Sequence, residues 1–261
     1  RNPSESLIGK SIYKYGFWEK ETTDTVVRKV KEEMIILDVG ADIGYYSLLF
    51  SKLVGNNGMI YSFEPIPEAK GYLDVNICLN NITNVISYEF ALFDEEGFSY
   101  IEDPFGKSRL NRTPDMQNYD SIKVQTKKFD SLKIKGRIDL IKIDVEGSEM
   151  NVLNGMRETI KKYHPIILLE LHCDLIKQYS YLPEDVIGYL EKEKYSISPV
   201  DQDTINYDLG NIEIESNRKL ILHDFPVEGS KKDIEIPSSQ ITVLASKPKK
   251  TSRDLSQSDL S

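Results

Sequence analysis

Met34-Ile-Ile-Leu-Asp-Val-Gly-Ala-Asp-Ile-Gly-Tyr-Tyr-Ser47 opens as a short apolar run, breaks at two glycines and continues with a helical period. An aliphatic run from Met34 to Val39, bounded by Gly40, reads as a strand buried on both faces, the kind found in parallel sheets. From about Ile43 to Val54, residues Tyr46, Leu49, Phe50 and Leu53 share one side of a helix. The segment is therefore strand, tight turn and helix, the first part of a βαβ unit.

The pattern repeats outward. Gly58 to Phe63 is a second strand, closed by Glu64-Pro65, and Pro67 suits the first turn of a helix that turns Ala69, Tyr72, Leu73 and Ile77 inward. A third strand is expected from Val85 to Phe90, then a turn at Asp94-Glu-Glu-Gly97 and a short antiparallel return over Phe98 to Ile101. Residues 104–120 read as a polar loop. Ile122 and Val124 alternate with polar residues as in an exposed edge strand. Asp139 to Asp144 is a further buried strand, followed by one helix from about Ser148 to Lys162, and Ile166 to Leu171 is the next strand. Such alternation implies an α/β fold, a mostly parallel sheet with helices on both faces.

The ends of the chain are less patterned. Pro183 to Glu193 reads as a helix, and strand-like pieces lie near 195–200, 205–215, 218–223 and 240–244; which two complete the sheet is open. The expected division is a lead-in with a helix over 1–34, one domain over 35–245 and a disordered tail over 246–261. Within the domain, 35–172 carries the cofactor and catalytic core, and 173–245 completes the sheet and the substrate side.

With 261 residues, 39% apolar and 29% charged, the chain has the composition of one globular domain. A net charge of -9 argues against wrapping nucleic acid or an anionic membrane surface. Cys78 and Cys173 sit in apolar runs that read as core, with no zinc-like spacing. No apolar run approaches the ~20 residues of a membrane span. No signal segment is visible in the sequence as given, so a cytoplasmic setting is expected. The oligomeric state is not legible.

Open parallel sheets bind ligands where the strands end. The turn Asp38-Val-Gly-Ala-Asp-Ile-Gly44 lies there with G-x-x-x-G spacing, not the G-x-G-x-x-G that cradles a dinucleotide pyrophosphate. Asp38 and Asp42 would repel phosphate. Glu64, at the end of the second strand, can accept hydrogen bonds from both hydroxyls of a ribose. An acid there suits any adenosine cofactor; the glycine spacing favours S-adenosylmethionine. A tight turn without ligand stays open.

Leu37 to Ser47, then Phe63-Glu-Pro65, Ile141-Lys-Ile-Asp-Val-Glu-Gly-Ser-Glu149 and Leu169-Glu-Leu-His172 together resemble the FkbM family of S-adenosylmethionine-dependent methyltransferases. Gly16-Phe-Trp-Glu19 resembles the family's lead-in. The resemblance implies a Rossmann-like class I fold with a seven-stranded sheet. It implies that Asp38, Gly40 and Gly44 hold the methionyl part of the cofactor, with Ala41, Asp42, Tyr45 and Tyr46 of the same turn beside it. Glu64, followed by Pro65, takes the ribose, and Ala91 and Leu92 flank the adenine. Glu19 reaches the cofactor's amino acid end or is a plain surface glutamate. Asp42 stands where the family often has asparagine.

Methyl transfer from a sulfonium is an in-line displacement, accelerated largely by positioning. A hydroxyl acceptor needs help in losing its proton. Asp144, Glu146 and Glu149 follow one strand, and Glu170 and His172 end its neighbour, so parallel pairing opens both ends toward Gly40. Asp144, Glu146, Glu170 and His172 are the candidate catalytic residues; Asp144 is also a candidate cofactor-binding residue, and Asp144 and Glu146 can orient substrate or the cofactor's ammonium group. His172 is the expected general base, because an ordinary imidazole titrates near neutrality; a packed, hydrogen-bonded histidine is the other reading. Glu149 serves the site or caps the following helix. The same residues form an oxygen-and-nitrogen set of the kind Mg²⁺ accepts, although a metal-free site is expected. Lys107, Ser108 and Arg109, with Arg112 nearby, are the candidate substrate-binding residues, on a loop that can fold over the site. His164 and His223 read as structural or exposed.

The expected activity is methyl transfer from S-adenosylmethionine to a hydroxyl of a sugar, glycan or other small metabolite. An NAD-dependent oxidoreductase and a silent methyltransferase-like binding module are the alternatives.

Overall fold

The computed structural model describes residues 7–102, 109–111, 121–134, 136–200 and 240–246. Helices α1 (Leu7–Tyr15) and α2 (Lys20–Lys29) precede β1 (Ile35–Val39), α3 (Tyr45–Val54), β2 (Met59–Phe63), α4 (Pro67–Leu79) and β3 (Val85–Tyr88). Four strands follow: β4 (Ala91–Leu92), β5 (Gly97–Glu102), β6 (Arg109–Asn111) and β7 (Ile122–Lys127). Then come β8 (Leu140–Ile143), α5 (Glu149–Gly155), α6 (Arg157–Tyr163), β9 (Ile166–His172), α7 (Pro183–Lys192), β10 (Ser196–Pro199) and β11 (Gln240–Ser246).

Seven strands form the main sheet in the order β10-β11-β9-β8-β1-β2-β3. Neighbours from β9 to β3 pair parallel, whereas β11 runs antiparallel to both β9 and β10. The sheet is the Rossmann-like, mostly parallel one expected, and the strand-like pieces at 195–200 and 240–244 complete it. Those at 205–215 and 218–223 lie outside the described residues, as do Lys107, Ser108, Arg112, His223 and the tail beyond Ser246.

Alternation along each strand sends side chains to two helical layers. Ile36, Ile60, Leu140 and Leu168 pack with Val26, Val30, Tyr46, Phe50 and Val54 of α2, α3 and their flanks. Leu37, Val39, Ile141, Ile143, Ile167 and Leu169 pack with Val152, Leu153, Ile160, Val186 and Leu190 on the other face. With both faces covered, the parallel strands β1, β2, β8 and β9 carry their polar end groups to one edge of the sheet.

Five expectations are corrected. The helix expected over 148–162 is two, divided at Met156 (φ −123°). Gly155 lies so close to Phe93 that a Cβ there would sit 2.0 Å from its carbonyl oxygen, and the chain bends to keep that contact. The third strand stops at Tyr88, because Ala91–Leu92 leaves to pair with Thr126–Lys127 in a second sheet, ordered β4-β7-β5-β6. The Ile122–Val124 strand is inside that sheet, with β4 and β5 on either side, and the segment read as a polar loop supplies its strand β6. Cys78 is exposed and Cys173 half-buried; the outer side of α4 near its C-terminus, Leu79 included, faces solvent. Among the described residues, no helix is long and apolar enough to cross a membrane.

Candidate active site

The turn after β1 is built on backbone that favours glycine. Gly40 has φ +80°, and a Cβ on it would meet the carbonyl oxygen of Asp144 at 1.8 Å. Only hydrogen lets the ends of β1 and β8 approach so closely. The amides of Gly40 and Ala41 both donate to the carbonyl of Phe63, at 3.0 and 3.1 Å. Asp42 is left-handed at φ 45°, and Gly44 at φ 95° precedes α3.

Glu64 completes this turn from β2. Its Oε2 accepts the Asp42 amide and its Oε1 the Ile66 amide, both at 2.9 Å. Pro65 beside it is half-buried. Burial pushes the Glu64 carboxyl up to about 8, against the pull of the two amides and with help from the Asp42 charge. Asp38 is fully buried; its Oδ2 accepts the Ser47 hydroxyl at 2.6 Å, while Oδ1 is buried without a hydrogen-bond partner. Burial raises its pKa too.

Next to Glu64, Phe63 stacks on Tyr88 at 5.2 Å and meets Phe90 at 5.6 Å. Ala91 and Leu92 are buried beside them in β4.

A second group lies across β8 and β9. Lys142, almost wholly buried on β8, reaches Asp144 Oδ2 at 3.1 Å and lies 4.7 Å from the Tyr46 ring centroid. Burial disfavours its charge, but Asp144, Asp38, Glu19 and Glu170 overcome this and hold its pKa above the ordinary value. Tyr46 donates to Glu19 Oε2 at 2.8 Å, so Glu19 is a half-buried member of the site and not a plain surface residue. Burial raises the Glu19 pKa, and that of Tyr46 rises for the same reason and from the Glu19 charge. Tyr45, at the start of α3, contacts Thr23 through its hydroxyl at 3.1 Å.

His172 ends β9 with 2% of its surface exposed. Its Nδ1 lies 2.7 Å from Oε1 of the fully buried Glu149. Its Nε2 is buried without a hydrogen bond and has Glu146 Oε2 at 3.3 Å and Glu170 Oε1 at 3.7 Å. Burial opposes charging the ring, but the Glu149 hydrogen bond and the charges of Glu149, Glu146 and Asp144 lift it to about 9. The ring is therefore more basic than the ordinary imidazole assumed from sequence. Burial, with the charges of Asp144 and Glu19, holds Glu170 above the usual carboxylate range. Glu146 is aimed by a turn with left-handed backbone at Glu146 and Gly147, packed so tightly that a Cβ on Gly147 would lie 2.7 Å from Leu175 Cβ.

The structure thus brings together Glu19, Asp38, Gly40, Ala41, Asp42, Gly44, Tyr46 and Glu64, and beside them Asp144, Glu146, Glu170 and His172. Arg109 begins β6; Lys107 and Ser108 lie outside the described residues. Sequence reasoning missed Lys142, whose signal is a lone lysine inside the apolar run Leu140-Ile-Lys-Ile143. Glu149 does take the amide of Gly147 at 2.9 Å, but it also orients His172. His164 stacks on Tyr195 at 4.2 Å and is structural, as read.

A family model described as the Methyltransferase FkbM domain matches residues 38–197. A hexuronic acid methyltransferase, AglP, from Haloferax volcanii is 25% identical over 182 residues, 68% of this chain and 70% of that protein. A protein named methyltransferase 1 from Beauveria bassiana is 26% identical over 197 residues, 66% of this chain and 77% of its own length. Among solved structures, a presumed rRNA methylase from Clostridium thermocellum superposes with TM-score 0.51 at 11% identity, over 89% of this chain and 96% of that one. An FkbM methyltransferase from Methylobacillus flagellatus gives TM-score 0.46 at 19% identity, over 64% of this chain and 40% of that longer protein.

Proposed function

Because the chain belongs to the FkbM methyltransferase family, we propose that it transfers a methyl group from S-adenosylmethionine to a hydroxyl of a sugar or another small hydroxylated acceptor. The observation that carries this reading is the set of carboxylates gathered at the ends of β1, β2, β8 and β9. Buried carboxylates repel a dinucleotide pyrophosphate but favour a sulfonium and an ammonium group. The turn from Asp38 to Gly44 would hold the methionyl part. Glu64 would accept the ribose hydroxyls while the Asp42 and Ile66 amides hold its carboxylate in place. Phe90, Ala91 and Leu92 would border the adenine.

S-adenosylmethionine, when bound, would supply the methyl group to the acceptor oxygen, and the acceptor proton would pass to a carboxylate beside His172, since the ring itself, lifted to about 9, is charged near neutrality. Glu149 holds the ring at Nδ1, and Nε2 faces Glu146 and Glu170, whose carboxylates the ring would keep in place for the acceptor. The named activity of the Haloferax relative supports a sugar acceptor. Lys107, Ser108 and Arg109 are proposed to meet that acceptor, and an anionic sugar would need the positive charge of Lys107 and Arg109 to bind near so many carboxylates.

Calorimetric titration with S-adenosylhomocysteine tests the reading, with NADH as control ligand. Micromolar binding is expected, weakened by ~1–3 kcal/mol in Glu64→Ala as hydrogen bonds to a charged group are lost. Labelled methyl transfer to candidate sugars would then find the acceptor. NADH binding without S-adenosylhomocysteine binding would support an oxidoreductase. Binding of neither would leave a silent interaction domain.

A further inference from the structure

We infer that Asp144, Glu170 and His172 form a site for a divalent cation of the Mg²⁺ or Mn²⁺ kind. Each offers one ligand atom, and these atoms lie within 4.8 Å of one another. Donors bound to one such cation at ~2.1 Å lie about 3.0–4.2 Å apart, so small side-chain movements suffice. His172 Nε2 and Glu170 Oε1, at 3.7 Å, already fall within that range.

The second observation is the imidazole itself. A ring nitrogen this deeply buried ordinarily finds a hydrogen bond, and Nε2 makes none while pointing at carboxylates. On the opposite side, Nδ1 is held by Glu149 at 2.7 Å. A histidine that binds a metal characteristically gives its other ring nitrogen to a carboxylate, which orients the ring, and the ion takes the place of the Nε2 proton. Charge agrees with this. Glu19, Asp38, Asp144 and Glu170 act on Lys142, and Glu149, Glu146 and Asp144 on His172, so six carboxylates face two basic groups. Lys142 meets Asp144 at Oδ2, and a carboxylate has a second oxygen to give. Asp144 is only half-buried, which leaves a way in. One imidazole with two carboxylates suits Mn²⁺ well and Mg²⁺ acceptably.

The role of the ion rests on the transferase reading: a cation here would polarise a hydroxyl of the acceptor. Its binding does not depend on that reading. Mn²⁺ alone is titrated into the full chain, with free ion followed by electron paramagnetic resonance. One saturable site is expected. Glu170→Gln, which keeps the shape of the side chain, and His172→Ala should each weaken it more than about tenfold. Glu149→Gln should cost about 10–100-fold, as outer partners of metal-bound histidines do. No saturable site in the wild type, or equal affinity in all three variants, overturns the inference and leaves a histidine–carboxylate pair without an ion. Titration of S-adenosylhomocysteine on the same preparations separates the two readings. Cofactor binding without Mn²⁺ binding sinks the cation site alone, and Mn²⁺ binding without cofactor binding sinks the transferase reading alone.

Discussion

Glu64 carries a charge that burial opposes and a ligand would favour. Its carboxyl is pushed up to about 8, chiefly by burial, with the Asp42 and Asp38 charges adding to the push. The ionised form accepts through both oxygens and makes the stronger hydrogen bonds to two ribose hydroxyls, so cofactor should favour that form. As pH rises from about 6 toward 8, affinity for S-adenosylhomocysteine should therefore increase, and it should level off above. Binding at pH 7 should release a proton, visible as a calorimetric heat that scales with the ionisation enthalpy of the buffer. The same shift acts on stability. A carboxyl whose folded value lies above the unfolded ~4.3 holds its proton more tightly in the native state, so stability falls as pH rises between those values. Glu64→Gln should flatten both slopes; a buffer-independent heat in the wild type would show that Glu64 does not bear the proton. This residue was legible because an acid at the end of a second strand has few other reasons to be there. Lys142 was not, since its meaning depends on Asp38, its register partner on β1, and on Glu19 and Glu170, none of which is near it in sequence.

Helix α6 depends on a cap that comes from outside its own sequence. Asp130, in the short turn after β7, accepts the Glu158 amide at 2.8 Å through Oδ2 and the Thr159 amide and hydroxyl at 3.0 and 2.7 Å through Oδ1. Two of the amides left unpaired at the start of the helix are satisfied this way. Asp130→Ala should cost ~1 kcal/mol, a fall in Tm of about 2–4 °C by calorimetry; an unchanged Tm would mean that water replaces the cap at no cost. The cap also shows why the helix expected over 148–162 was not legible as two. Apolar periodicity runs through Gly155 and Met156 without a break, and the two features that divide it, the Phe93 carbonyl and the Asp130 carboxylate, lie far away in sequence. The edge reading of Ile122 and Val124 failed for a related reason. Alternation reports which face of a strand is buried; which neighbours its backbone pairs with leaves no mark on the side chains. Strands β1, β2, β8 and β9 were legible because burial on both faces needs mostly apolar runs, and that requirement is written in composition.

Across the molecule, the order β9-β8-β1-β2 turns separate strand ends into one electrostatic surface. Glu19 from the segment before α2, Asp38 from β1, Asp144 after β8 and Glu170 from β9 all act on the Lys142 ammonium. Such convergence concentrates negative potential where the sulfonium of S-adenosylmethionine would lie. Two opposite charges about 4 Å apart attract by roughly 4 kcal/mol at the effective dielectric of a protein site near the surface. Desolvation of the ligand cation offsets much of this, leaving a net preference of about 1–2 kcal/mol. Sinefungin carries an ammonium group where the methyl donor carries its sulfonium, whereas S-adenosylhomocysteine is neutral at that position. Sinefungin should therefore bind about tenfold more tightly, and the gap should narrow in Glu19→Gln and Glu170→Gln, since an amide cannot ionise opposite the ligand's cation. Equal affinity of the two ligands in the wild type would mean that the carboxylates face the acceptor and not the donor. An equal loss of both ligands in the variants would mean that Glu19 and Glu170 shape the pocket without setting its charge.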